Sequence, residues 1–209
     1  MTSGAMATEP TVLVVDDDAA VRDSLEAMLE AEGYRVELFA DARTFLREFE
    51  PHPQSCVLID VRMPDMDGIE LLEELARRPD APPVIMITAH ADVPLAVKAM
   101  KLGAIDFIEK PFTAEALVAA IREALASAAH APAPVAEVTG RLGRLTERER
   151  QVLEQLVIGR SNKAIALELG ISPRTVEIHR ARVMEKMRAE SLSHLVRMAL
   201  AAGVNPSET

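Results

Sequence analysis

Three consecutive aspartates, Asp16, Asp17 and Asp18, directly follow the apolar stretch TVLVV (11–15), and a fourth, Asp60, directly follows CVLI (56–59). Carboxylates brought into one place repel one another, so such a cluster calls for compensation. A hard divalent cation, Mg²⁺ (or Mn²⁺), supplies it, because it takes oxygen ligands and keeps part of its water shell. Two further groups fit the same pattern: Thr88 closes the stretch VIMIT (84–88), and Lys110 stands just past DFI (106–108). Carboxylates, a cation site, a hydroxyl and an ammonium together suit a phosphoryl group arriving on a carboxylate. Metal and lysine neutralise its oxygens while the hydroxyl donates a hydrogen bond. Taken singly, an aspartate after a strand is an ordinary turn or capping residue, and a lone lysine is a solvated charge. The joint placement of these residues carries the argument.

That placement depends on the elements around them. The five apolar runs TVLVV, RVELF (35–39), CVLI, VIMIT and DFI read as strands. Each is followed by apolar residues at helical spacing: Val21, Leu25, Met28 and Leu29; Phe45, Leu46 and Phe49; Ile69, Leu72 and Leu75; Leu95, Ala96, Ala99 and Met100; Leu117, Val118, Ile121 and Leu125. Strand then helix, five times over, predicts an α/β fold, a (βα)5 doubly wound parallel sheet with helices on both faces. In such sheets the carboxyl ends of the strands line one crevice, at the point where the strand order reverses.

The chain has 209 residues, enough for one large or two small domains, with 49% hydrophobic and 27% charged residues, as expected of a globular protein. No apolar run approaches the ~18–20 residues of a membrane span, and MTSGAMATEP has the form of a polar tail, not a secretory signal. The single cysteine, Cys56, excludes an intrachain disulfide and reads as a reduced, buried thiol of a cytoplasmic protein. The net charge of −10 argues, taken whole, against nucleic acid. It is unevenly spread: residues 1–127 carry a net of −13, residues 128–209 a net of +3. Between them lies the Ala/Pro-rich SAAHAPAPVAEVTG, which predicts a semi-stiff extended linker. The expected organisation is therefore a tail (1–8), a first domain (9–127), a linker (128–141) and a second, smaller domain (142–209). The second domain reads as all-α, with four helices at 146–158, 162–169, 173–187 and 192–202. Thr146 with Glu149 fits a capping box, Gly159 and Gly170 are stop signals, and Ser172 with Pro173 marks a helix start.

The segments VVDDDAAVR, LIDVRMPDMDG, ITAH and FIEKPF resemble the motifs of the receiver domain of two-component response regulators. The resemblance implies that Asp60 accepts phosphate from a sensor histidine kinase. It implies that Asp16 and Asp17 are the acidic pair, with Asp17 the direct metal ligand, and that Asp60 and the backbone carbonyl of Arg62 complete the protein's share of the Mg²⁺ shell. Thr88 and Phe107 match the switch pair and Lys110 the phosphate-binding lysine, with a cis Lys110–Pro111 bond. Asp18 is expected to cap a helix. A second resemblance is weaker. Asp16-x-Asp18 is similar to the nucleophile motif of haloacid-dehalogenase-type phosphatases, but Ala20 departs from that motif and Asp60 would be left without a role.

The segment LTERERQVLEQLVIGRSNKAIALELGISPRTVEIHRARVMEKM (145–187) resembles the LuxR-type helix-turn-helix domain. In tandem with a receiver it places the chain in the NarL/FixJ family, and the wording is closest to the FixJ-type members, regulators of nitrogen fixation and oxygen response. In the helix at 173–187, Val176, Val183 and Met187 recur as a core stripe, and His179 reads as a packed residue. Glu177, Ile178 and Ala181 stand at the positions that the family uses for base readout. Glutamate can accept from cytosine N4, while Ile and Ala can touch a thymine methyl. Arg174, Arg182 and Lys186 are assigned to phosphates. Asn162 and Lys163 begin the preceding helix, where backbone amides can hold a phosphate, and Thr175 joins the DNA contacts.

The resemblance implies a transcription regulator, an activator by its FixJ-type wording, and not an enzyme beyond self-catalysed phosphotransfer and slow dephosphorylation. Its expected partners are the kinase, promoter DNA, RNA polymerase holoenzyme and, once phosphorylated, a second copy, with Val97 and Lys101 as dimer contacts and no membrane. The alternative is a phosphotransfer protein or phosphatase whose second domain binds protein in place of DNA.

Overall fold

The computed structural model describes residues 10–89, 92–127 and 135–204. The expected tail at 1–8, His90 of the ITAH stretch and the first part of the linker lie outside the described residues. In chain order the elements are β1 (Thr11–Val15), α1 (Ala19–Ala31), β2 (Arg35–Phe39), α2 (Ala42–Glu48), β3 (Ser55–Asp60), α3 (Gly68–Leu75), β4 (Val84–Thr88), α4 (Val93–Lys101), β5 (Asp106–Glu109), α5 (Ala114–Ser127), α6 (Val135–Leu142), α7 (Glu147–Ile158), α8 (Asn162–Leu169), α9 (Pro173–Met187) and α10 (Leu192–Ala201). By contact density the chain divides into two compact units, Met1–Ala89 with Ile108–His130, and His90–Phe107 with Ala131–Thr209.

The sheet runs in the order β2-β1-β3-β4-β5. Its pairings β1–β2, β1–β3 and β3–β4 are parallel. Strands β1, β3 and β4 are buried throughout, which is why they read as unbroken Val/Ile/Leu runs and not as alternations. On either side of β1 the chain winds in opposite directions, so the strand order reverses between β1 and β3. There Val15 pairs with Ile59, so the next residues, Asp16 and Asp60, emerge side by side. The helices begin on short acceptors. Asp18 caps α1, Asp41 caps α2, and Asp67 forms a capping box with Glu70 on α3. Part of the acidic charge of this half is thus engaged with helix N-termini. Cys56 is buried, and burial pushes its thiol up to about 12, leaving it protonated and inert.

The second unit is helical. The expected helices appear as α7–α10, displaced by at most one residue at an end. The capping box Thr146–Glu149, the left-handed Gly159 and Gly170, and the Ser172 cap with Pro173 stand where the local signals put them. The linker expectation needs correction. Residues 135–140 of the stretch SAAHAPAPVAEVTG, taken as extended, belong to α6 (Val135–Leu142). Pro134 directly precedes α6 in the chain. Beyond it, Val138 and Leu142, four residues apart, share one face and are buried in the core with Val152, Leu156, Val176, Val183, Met187 and Leu195. In the same unit α4 lies against α7 and α10. Arg197 of α10 donates to the Ile105 carbonyl at 2.6 Å, and the Ser193 hydroxyl donates to the Asp106 carboxylate.

Candidate functional site

The pocket at the β1/β3 ends is built from buried charge. Asp16 is 3%, Asp60 8% and Thr88 1% exposed, and polar groups this buried require partners. Lys110 provides them: its Nζ donates to Asp16 Oδ2 at 2.8 Å and to Asp60 Oδ1 at 2.7 Å. The remaining oxygens are held by the backbone. Asp16 Oδ1 accepts from the Asp18 amide at 2.9 Å, and Asp60 Oδ2 from the Arg62 amide at 2.7 Å. Lys110 is itself placed by its amide, which donates to the Thr88 carbonyl at 2.7 Å; the Lys110–Pro111 bond that follows is cis.

Burial pushes the Asp60 carboxyl above its ordinary value, opposed by the hydrogen bond and charge of Lys110. Burial pulls the Lys110 ammonium down, but its bonds to Asp16 and Asp60 outweigh that and leave it raised. The lysine therefore stays charged. Asp60 thus lies half-desolvated between the Lys110 ammonium and the Arg62 amide.

Of the other residues singled out for the pocket, Asp17 is exposed, and Asp18 is the α1 cap, accepting from the Ala20 amide at 2.8 Å. Phe107 is half-buried on β5. Among the described residues no three His, Cys, Asp or Glu side chains gather at metal-binding distance; the two that converge, Asp16 and Asp60, do so on Lys110. The donor chemistry nevertheless suits a hard cation, since the carboxylates of Asp16 and Asp60 beside Lys110 offer oxygen ligands.

Two residues escaped the sequence reading. Arg22, on α1, donates from Nη1 to the Asp16 carbonyl at 2.6 Å and so fixes the main chain of the acidic turn. Gly68 opens α3 with its amide on the Val61 carbonyl at 2.9 Å. A Cβ at Gly68 would overlap the Asp60 carbonyl oxygen, so only glycine lets α3 start this close to the end of β3. The signal for it was a glycine in the first turn of a helix, directly after an Asp cap.

The α9 face is the second candidate site. Arg174, Glu177, Ile178, Ala181 and Arg182 are exposed along it, while Val176, Val183 and Met187 are buried on the opposite side. Ile178 is 48% exposed. Thr175 is half-buried, its hydroxyl 2.8 Å from that of the Ser172 cap. On α8, Lys163 is exposed, while Asn162 is half-buried with its Oδ1 lacking a hydrogen bond among the described residues. His179 is half-buried in the helix, as its packed reading expects.

Two residues expected at partner surfaces are engaged inside the unit. The Lys186 ammonium, assigned to phosphate, is held inside the unit by Glu149 Oε2 at 2.6 Å and the Arg144 carbonyl at 3.3 Å. The cause is Glu149, buried as the third residue of its capping box and in need of a cation. Hydrogen bonding from Lys186 holds its carboxyl down at about 2. Val97, expected as a dimer contact, is 1% exposed, because Gly159 at the end of α7 lies against it. Lys101 is exposed.

Residues 12–122 match the response regulator receiver domain, and residues 144–199 match the bacterial regulatory proteins of the luxR family. The chain belongs to the response regulators. It is 50% identical over 202 residues to the transcriptional regulatory protein FixJ of Bradyrhizobium diazoefficiens, covering 95% of this chain and 98% of that one. It is 52% identical over 204 residues to FixJ of Rhizobium meliloti, covering 96% and 100%. Among solved structures, full-length FixJ from B. japonicum is similar with a TM-score of 0.53 at 48% identity, covering 95% of this chain and 100% of that one. This response regulator is thus FixJ-like, with a receiver domain and a LuxR-type DNA-binding domain. No helix among its described residues is long and apolar enough to cross a membrane.

Proposed function

We propose that this response regulator takes a phosphoryl group on Asp60 from a sensor histidine kinase, then pairs with a second copy and binds promoter DNA through α9 to activate transcription. The observation that carries the reading is the shared lysine: Lys110 bridges Asp16 and Asp60 in a buried pocket at the reversal of strand order. Asp60 is the nucleophile, Lys110 and the Thr88 hydroxyl receive the incoming phosphoryl oxygens, and Phe107 answers the movement of Thr88. When a phosphoryl group adds a charge to Asp60, Lys110 can give up part of its contact with Asp16 without leaving the pocket. Asp16, Asp17, Asp60 and the Arg62 carbonyl would hold Mg²⁺, which when bound supplies charge neutralisation at the phosphoryl oxygens.

The domains proposed are the receiver at 9–127, the connection at 128–141 and the DNA-binding part at 142–209. Arg174, Arg182, Lys163, Asn162 and Thr175 meet phosphates, and Glu177, Ile178 and Ala181 face base edges. Val97 and Lys101 become dimer contacts once α4 is released from its neighbours. The cytoplasm, RNA polymerase holoenzyme and nitrogen-fixation genes complete the reading. Intact mass after incubation with acetyl phosphate and Mg²⁺, followed by native mass, tests it. One phosphoryl group on Asp60 and a rise in dimer are expected; a label elsewhere, or a labelled protein with no change in mass distribution, contradicts it.

A further inference from the structure

The last turn of a helix leaves carbonyls without intrahelical donors, and a cation there also meets the negative end of the helix dipole. In α9 that end is not left to solvent. Arg141 of α6 donates from Nη1 to the Met187 carbonyl at 2.9 Å and lies 3.9 Å from Met198 Sδ. Its Nη2 donates to Glu137 Oε1, one turn earlier on the same helix, at 2.6 Å, so the guanidinium is oriented from its own side. Lys186, in the same last turn, reaches the Arg144 carbonyl and Glu149. Arg150 Nη2 closes the end of α6 on the Leu142 carbonyl at 3.1 Å. The stretch from Arg141 to Glu149 therefore grips the C-terminal turn of α9, and Val138 and Leu142 seat α6 in the same core as Met187. The luxR-family match begins at residue 144, beyond α6.

We propose that α6 is a working part of the DNA-binding unit, and that Arg141 is a positioning residue that fixes the orientation of α9 for base readout. The proposal rests on α9 being the helix that reads DNA. Ile178 stands nine residues before Met187, about 14 Å along the helix axis. A small tilt at the gripped end therefore displaces the reading residues by an ångström or more, beyond the roughly 0.5 Å within which a recognition constellation must be held. Arg141 acts on the helix and not on the nucleic acid, so its loss should lower discrimination between sequences and leave the charge-driven part of binding intact.

The full chain and its variants Arg141→Ala, Arg141→Lys and Glu137→Gln, treated with acetyl phosphate and Mg²⁺, separate these effects. The exposed Glu137→Gln retains the fold even if Arg141→Ala does not. Three readouts are taken: amide hydrogen exchange over residues 184–188 without DNA, the salt dependence of binding to a random-sequence duplex, and sequence enrichment from a randomised duplex library. In Arg141→Ala, exchange in the last turn of α9 rises roughly tenfold, enrichment falls by a similar factor, and the salt slope is unchanged. Arg141→Lys and Glu137→Gln fall between it and the parent. Unchanged exchange at 184–188 overturns the clamp. Faster exchange with full enrichment overturns its positioning role. A salt slope lowered by about one shows Arg141 to be a phosphate contact and overturns the proposal as well. A parent chain that enriches no sequence defeats the α9 reading, and the proposal with it, while the exchange data still report the clamp.

Discussion

The two candidate sites handle charge in opposite ways. In the Asp16–Asp60 pocket the carboxylate oxygens are buried and engaged by Lys110 or by main-chain amides. On the α9 face, Arg174, Glu177 and Arg182 stand in solvent. Buried, paired charge is rigid and sensitive to one added charge, which suits a switch. Exposed charge contributes little to stability and remains available for a partner, which suits a surface that meets phosphates. Lys186 marks the border between these uses: it lies on α9, yet it behaves as a pocket residue because Glu149 is buried beside it.

The largest expected effect lies in the pocket. Asp60→Asn removes the nucleophilic oxygen and should abolish labelling by acetyl phosphate; retained labelling would identify another acceptor. Lys110→Ala leaves two buried carboxylates without their cation, and should destabilise the chain by about 3 kcal/mol at neutral pH. That loss should shrink as pH falls and one carboxylate protonates. Chemical denaturation at several pH values measures it, and a pH-independent loss would mean that the bridge is not electrostatic.

Glu149→Gln tests the border case. The charged side of its bond to Lys186 disappears, at a cost of about 1.5–3 kcal/mol. The Glu149 carboxyl is held down at about 2 against an unfolded value of 4.5, so its contribution is present above pH 4.5 and is lost as pH falls towards 2. The parent should lose stability across that window more steeply than the variant, and parallel acid-unfolding curves would remove the pair from the account. The smallest effect belongs to the open face. Arg182→Ala should leave the thermal midpoint unchanged and lower the salt slope of duplex binding by about one. An unchanged slope would take Arg182 off the phosphate.

The comparison also explains what was legible in the sequence. Asp16, Asp60, Thr88 and Lys110 could be read because a doubly wound sheet brings strand ends together whatever the details of packing, and the apolar runs mark where each strand ends. The α9 core stripe and the helix caps were legible for the same reason, being local and periodic. Less legible were features fixed by partners distant in the chain. Lys186 pairs with a residue 37 positions away, and Arg141 with a carbonyl 46 positions away. Gly68 matters through a strand end it follows by several residues, and α6 was hidden because the prolines before it were weighed without its buried Val138 and Leu142. The net charge of −10 misled in a similar way, averaging a pocket and its helix caps with a basic surface.

The central claim is that phosphate on Asp60 increases DNA binding by the same chain. The most direct measurement is titration of a duplex selected from genomic fragments with fully phosphorylated and unmodified protein, at matched salt and with the oligomer mass followed in parallel. The account predicts a higher affinity together with a larger dimer fraction for the phosphorylated form. Equal affinity in a sample shown by mass to be fully phosphorylated would contradict it.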